Sequence, residues 1–284
     1  MYRNYISDSK FNDIMGRVAS NDSTLTKLRF FTLNAKNSNP EEKADWTEDY
    51  DSEVHIHRIN FIAQNLSYNT YIMELNFRGC HLRPKYISVL VDSIKFYSNI
   101  KSLNLYANII NEAVMIKNAI SATEILYIHL NPMHEDEDNS NATRAIVNFI
   151  EQNNSLLSLN LGFSGISSED AKLIFSALVN NRSLKEIILD SNFIGPDAIL
   201  ELCHLIQAGN MSFISLAHNQ LDDSITTQMH RAIYYSQNSL RKLVLTGNPM
   251  FMENTQDHPD FLDFVNAGIE VETSGDAPEF CVIA

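Results

Sequence analysis

Cysteine, basic charge and long apolar runs are all scarce in this chain. Only three thiols occur in 284 residues, at Cys80, Cys203 and Cys281. So few, and an odd number, exclude a disulfide framework and fit a reducing compartment. No run of about 18 apolar residues is present, so the sequence predicts no helix that crosses a bilayer. The opening MYRNYISDSKF lacks the apolar stretch of a secretion signal. Bases number 21 against 35 acids, a formal net charge of −14. That balance leaves no electrostatic reason to bind nucleic acid or an anionic lipid surface, and suits a neutral or basic protein partner better. N-glycosylation sequons, among them those at Asn65, Asn141, Asn181 and Asn210, read as chance in a chain this rich in asparagine.

What is present is a repeat. Seven segments carry apolar residues at positions 1, 4 and 6. They are IMELNFRGCHL from Ile72, IKSLNLYANII from Ile100, ILYIHLNPMHE from Ile125, LLSLNLGFSGI from Leu156, LKEIILDSNFI from Leu184, MSFISLAHNQL from Met211 and LRKLVLTGNPM from Leu240. Their starts are separated by 28, 25, 31, 28, 27 and 29 residues. Positions 4 and 6 alternate in the strand sense, so both enter one core. Position 9 holds Asn108, Asn192, Asn219 and Asn248, where an amide side chain can satisfy backbone groups that a short strand leaves unpaired. Cys80, Met133 and Ser164 replace it elsewhere. Between strands the period becomes helical: Ala171, Ile174, Phe175 and Leu178, then Ala198, Leu202 and Leu205, then Ile225, Met229 and Ile233. Pro84 and Pro196 stand where a helix can begin without an N–H.

On these residues the chain resembles the leucine-rich repeat family in its longer, ribonuclease-inhibitor-like form. The resemblance covers about residues 72–250 and implies an α/β horseshoe, with parallel strands on the concave face and helices on the convex face. Residues 1–71 then form an N-terminal capping region, with LTKLRFFTL from Leu25 as a candidate degenerate repeat. The acidic stretch 40–53 holds the only tryptophan, Trp46. Residues 251–271 are expected to close the stack with a helix, and 272–284 to form a flexible tail.

No phosphate loop, G-x-S-x-G or H-E-x-x-H occurs, which predicts a non-enzymatic protein. His55 and His57 lack further ligands at zinc spacing, and the acidic stretch 134–141 lacks the order of a calcium loop, so no metal is expected. Cys203 falls among apolar helical residues and is expected to be inert. Strand positions 3, 5, 7 and 8 face the concavity. Arg78, Tyr106, Tyr127, His129, Phe163, Asp190, Phe213 and His218 are the candidate partner-binding residues, because exposed aromatics on a rigid scaffold make interaction anchors. The alternative is that these rings cover one another.

The final residues Cys281, Val282, Ile283 and Ala284 match the C-a-a-X prenylation pattern, with an alanine end that favours farnesyl. The preceding ETSGDAPEF is small, polar and acidic, as a spacer presenting the cysteine to a host prenyltransferase would be. One lipid chain binds membranes marginally without a second signal, and no basic run precedes Cys281. The expectation is a loose association with the cytosolic face of host endomembranes, alongside a soluble pool. Asparagine-rich sequence, eukaryote-like repeats and a prenylation box together resemble translocated bacterial effectors of the Legionella type, which implies a host protein as partner. A protist's own prenylated repeat protein, or a soluble inhibitor or scaffold without a lipid, fits the same residues.

Overall fold

The computed structural model describes residues 7–30, 53–80, 82–95, 99–108, 110, 141–234, 239–249 and 270–272. Its short strands form one parallel sheet: β1 (Lys27–Arg29), β2 (Glu74–Asn76), β3 (Ser102–Asn104), β4 (Ser158–Asn160), β5 (Glu186–Ile188), β6 (Phe213–Ser215), β7 (Lys242–Val244) and β8 (Glu270–Glu272). They pair in chain order, each residue opposite its equivalent in the next strand. Packed behind them are α1 (Asp8–Ala19), α2 (Glu53–Leu66), α3 (Pro84–Ile94), α4 (Thr143–Gln152), α5 (Ser168–Asn180), α6 (Ile199–Ala208) and α7 (Thr226–Tyr234). This is the α/β leucine-rich-repeat solenoid.

The repeat positions explain the core. In β2 and β5, for example, Ile72, Leu75 and Phe77, then Leu184, Ile187 and Leu189, are no more than 1% exposed. A side chain of this size contributes about 1.5–3 kcal/mol when fully buried, so three per repeat make stacking favourable only when neighbours cover both sides. The helical positions named from the sequence are buried too: Ala171, Ile174, Phe175 and Leu178 on α5, and Ile225, Met229 and Ile233 on or just before α7. Pro84 opens α3 and Pro196 opens the 3₁₀ turn that leads into α6. A capping box of Ser167 and Asp170 starts α5.

Asparagine binds one repeat to the next in two ladders, one after the strands and one before them. After the strand, Asn192 Nδ2 donates to Leu161 O (3.0 Å) and Leu189 O (2.9 Å), while its Oδ1 accepts from the N–H groups of Ser164 and Ile166 (3.0 Å each). Asn108, Asn219 and Asn248 repeat this arrangement. Before the strand a second ladder runs through Asn69, Asn153, Asn181 and Asn210. Asn181 Nδ2 donates to Ile150 O and Asn153 O, and its Oδ1 accepts from Leu184 N–H. Two of the chance sequons, at Asn181 and Asn210, are therefore buried structural amides.

One interval in the stack differs from the others. Strand starts fall 27 to 29 residues apart from β2 onward, except between β3 and β4, where the interval is 56. Yet β3 and β4 pair directly, Leu103 opposite Leu159. Ile110 N–H donates to Ser164 O (3.0 Å) and Ala142 N–H to Ile110 O (2.8 Å), so the chain leaves and rejoins the stack at one place. The described part of residues 72–250 supplies six strands of the sheet, and the segment from Ile125, expected as a further repeat, lies outside the described residues. One expectation is corrected at the C-terminus: Glu270–Glu272, expected at the junction of a cap helix and a tail, is a strand in register with β7. The rest of that cap lies outside the described residues.

At the other end β1 extends the sheet past β2, with Leu28 opposite Leu75. Helix α1 buries Phe11, Met15 and Val18 over it. Arg58 of α2 is 2% exposed; its guanidinium lies 4.7 Å over the Phe11 ring and pairs with Asp8 Oδ1. Ion pair and ring contact together fix α1 onto α2.

The ladders yield a stability prediction. Asn192→Ala leaves four buried backbone groups unpaired and should cost about 3–5 kcal/mol. Asn104→Ala removes a single acceptor, for the Tyr106 N–H, and should cost about 1 kcal/mol. Urea unfolding of the two variants checks the difference.

Candidate functional site: the strand face

The outward positions of β1, β2 and β3 line a pocket of about 260 Å³, walled by Lys27, Arg29, Glu74, Asn76, Ser102 and Asn104 above Leu28 and Leu75. Lys27 pairs with Glu74 across the strands (2.7 Å). Asn76, Asn104 and Asn160 form a row in which each Oδ1 accepts the N–H two residues on, at 3.0, 2.9 and 3.0 Å. Reading the strand positions onto LTKLRFFTL would have found Lys27 at position 3 and Arg29 at position 5.

Beside the pocket, three of the candidate residues come together. The Arg78 guanidinium lies 4.5 Å above the Tyr106 ring, and Tyr106 stacks on Phe163 with centroids 6.3 Å apart and planes 22° from parallel. Each residue is half-buried. Gly162 makes the stack possible: a Cβ there would stand 2.8 Å from Tyr106 Cδ2. Phe163 follows with φ of 51°, in the left-handed region. The same conformation recurs at position 8 throughout, at Gly79, Ala107, Ser191, His218 and Gly247. A non-glycine residue there carries a cost of about 1–2 kcal/mol, which the hydrogen-bonded turn holds in place. Two rings thus partly cover one another, as the alternative reading of the sequence had it, while keeping exposed faces.

The other candidates are separate. Asp190 Oδ1 accepts from the Ala217 N–H (3.0 Å) and from the Ser215 hydroxyl, so it clasps the next repeat. Phe213 lies in register between Glu186 and Lys242. His218 rests over Gly247, where a Cβ would meet its Nδ1 at 2.2 Å. Tyr127 and His129, together with the prenylation residues Cys281, Val282, Ile283 and Ala284, lie outside the described residues.

Among the described residues no group of three His, Cys, Asp or Glu could hold a metal ion, and no helix is long and apolar enough to cross a membrane. His57 is exposed on α2. Burial raises the Cys80 thiol far above its ordinary range and pushes Cys203 up to about 11.

No family model matches the chain, and no curated protein matches it. Among solved structures it is similar to the tropomodulin C-terminal domain of Caenorhabditis elegans, with 16% identity, 48% of this chain and 85% of that one covered, and a TM-score of 0.39. It is also similar to actin-binding site 2 of leiomodin-1 (13% identity, 79% and 90% covered, TM-score 0.35) and to an internalin of Listeria monocytogenes (12% identity, 94% of each chain covered, TM-score 0.24). The fold assignment rests on the in-register strands themselves.

Two predictions follow from the geometry. Gly162→Ala should push Tyr106 off Phe163, changing the near-ultraviolet circular dichroism and lowering stability by about 1–3 kcal/mol. At pH 8 a thiol reagent should label neither Cys80 nor Cys203 in the folded protein and both in denaturant, with mass spectrometry locating the label.

Proposed function

We propose that this chain is a non-enzymatic scaffold that binds a protein partner on its strand face. The observation that supports this most is the Arg78–Tyr106–Phe163 stack beside the pocket of Lys27 and Arg29. Stacked rings on a hydrogen-bonded backbone lose little entropy on binding, and tyrosine with arginine supplies apolar area and donors together. The guanidinium and ammonium groups around the pocket favour a partner segment that carries carboxylates next to an apolar residue.

The finer reading follows the sequence alone. Cys281 takes a farnesyl group from a host prenyltransferase, the chain acts as a translocated bacterial effector on a host protein, and the lipid holds it at a host membrane. Without the lipid it is a soluble scaffold or inhibitor with the same binding face.

Affinity capture from eukaryotic lysate with wild type and with Tyr106→Ala/Phe163→Ala tests the binding face. A captured protein should lose affinity about tenfold or more with the double variant at unchanged melting temperature. Equal capture by both proteins rejects the stack as the anchor. Fractionation of cells expressing wild type or Cys281→Ser tests the lipid, which predicts membrane association of the wild type alone.

A further inference from the structure

Position 2 of each repeat begins a hydrogen-bonded line along the solenoid. Lys101 N–H donates to Met73 O (2.7 Å), Leu157 N–H to Lys101 O (2.8 Å), Lys185 N–H to Leu157 O (2.9 Å), Ser212 N–H to Lys185 O (2.8 Å) and Arg241 N–H to Ser212 O (2.9 Å). The side chains on this line alternate between apolar and basic until Ser212. Met73 is 44% and Leu157 45% exposed, with Lys101, Lys185 and Arg241 exposed beside them. Exposed tyrosines are found toward both ends: Tyr68 and Tyr71 just before Met73, and Tyr234 at the end of α7. The remaining large exposed apolar side chains among the described residues, Phe61, Leu173 and Leu200, are scattered on helices.

Three helix starts at one edge of the sheet are acidic, while those of α3 and α4 carry Lys85 and Arg144. All strands run one way, so helix N-termini gather at the edge where strands end. There Glu169, Asp197, Asp222 and Asp223 occupy first turns or caps, where the helix dipole favours them. At the edge where strands begin, Lys101 and Arg241 form no ion pair among the described residues. Lys185 Nζ donates to Asn210 O (3.0 Å) and keeps two further donors. Acids stand at this edge as well: Glu151 at the end of α4, and Glu74, Glu186 and Glu270 as the first residues of β2, β5 and β8.

We propose that this edge docks on an anionic lipid bilayer. Strands about 4.8 Å apart spread the line over roughly 25 Å, and the pocket opens on the strand face instead. A peptide ligand needs an anchor pocket in a groove. A straight row of separated Tyr, Met, Leu, Lys and Arg side chains matches a bilayer interface, where tyrosine rings lie at headgroup level and basic side chains reach lipid phosphates along their aliphatic stems. The acids on the opposite edge point away from that surface. This inference does not rest on the strand-face partner or on a lipid at Cys281. It would supply the second membrane signal that a single prenyl chain needs.

The test uses the full chain made without a prenyltransferase, co-sedimented with phosphatidylcholine vesicles with and without phosphatidylserine. Sedimentation should occur with the anionic vesicles only and should vanish as salt rises from about 0.05 M to about 0.5 M. Lys101→Glu/Lys185→Glu/Arg241→Glu should weaken it at least about tenfold at unchanged melting temperature. Tyr68→Ser/Tyr71→Ser, which leaves the charges intact, should weaken it as well. The proposal is overturned if wild type ignores anionic vesicles, if the variants sediment like wild type, or if wild type is retained only by an immobilised acidic peptide. Cys281→Ser fractionation is read separately, so failure of either reading leaves the other distinguishable.

Discussion

An asparagine side chain offers two N–H donors and one carbonyl acceptor, the complement of what a three-residue strand leaves unpaired as it turns away. Strands this short pair through few of their own hydrogen bonds, so the turns on either side must be satisfied by something else. Position 9 places the amide inside the core of the turn, where it reaches the backbone of its own repeat and of the one before. The second ladder, through Asn69, Asn153, Asn181 and Asn210, does the same where helices hand over to strands. Hydrophobic stacking drives the repeats together. The amides fix the register in which they meet.

Where the amide is missing, the architecture changes. Ser164 lacks the acceptor that would hold the preceding turn. The Ile110 N–H turns instead to the Ser164 backbone carbonyl, and Ala142 closes onto Ile110. The doubled interval between β3 and β4 occurs at this one join. A solenoid tolerates an unequal interval because each repeat touches only its neighbours, so the stack requires only that β4 meet β3. At the N-terminus Cys80 fills position 9, and its thiol donates weakly to Phe30 O (3.4 Å), reaching back to the first strand as the asparagines do.

Much of this was legible in the residues. The 1-4-6 spacing marked the strands of six repeats correctly, because burial on one sheet face is a local, period-two property. Helix faces and the position-9 asparagines were legible for the same reason. The Ile125 segment carries the identical spacing, yet β3 pairs directly with β4. Local pattern states that a segment can form such a strand; only the hydrogen bonds of the tertiary structure state which strands are neighbours. LTKLRFFTL was visible as a weak repeat, but the role of Lys27 and Arg29 in the pocket depends on which strand lies beside them. Gly162 gave no signal of its own, since its purpose is the space it leaves for Tyr106.

The sequence by itself determined the fold class, the composition of the core and the amides that join the repeats, all of which follow from short-range spacing. Tertiary structure decided adjacency. It brought Arg78, Tyr106 and Phe163 into one stack and set Asp190 apart as a clasp. It also separated charges that a net value of −14 treats as one sum. Parallel strands with returning helices send every helix N-terminus to one edge and every strand N-terminus to the other. Acids settle at the starts of α5, α6 and α7 because the helix dipole favours them there, and the other edge of an acidic protein carries the exposed Lys101, Lys185 and Arg241. Composition cannot report that division, because it arises from the direction of the chain.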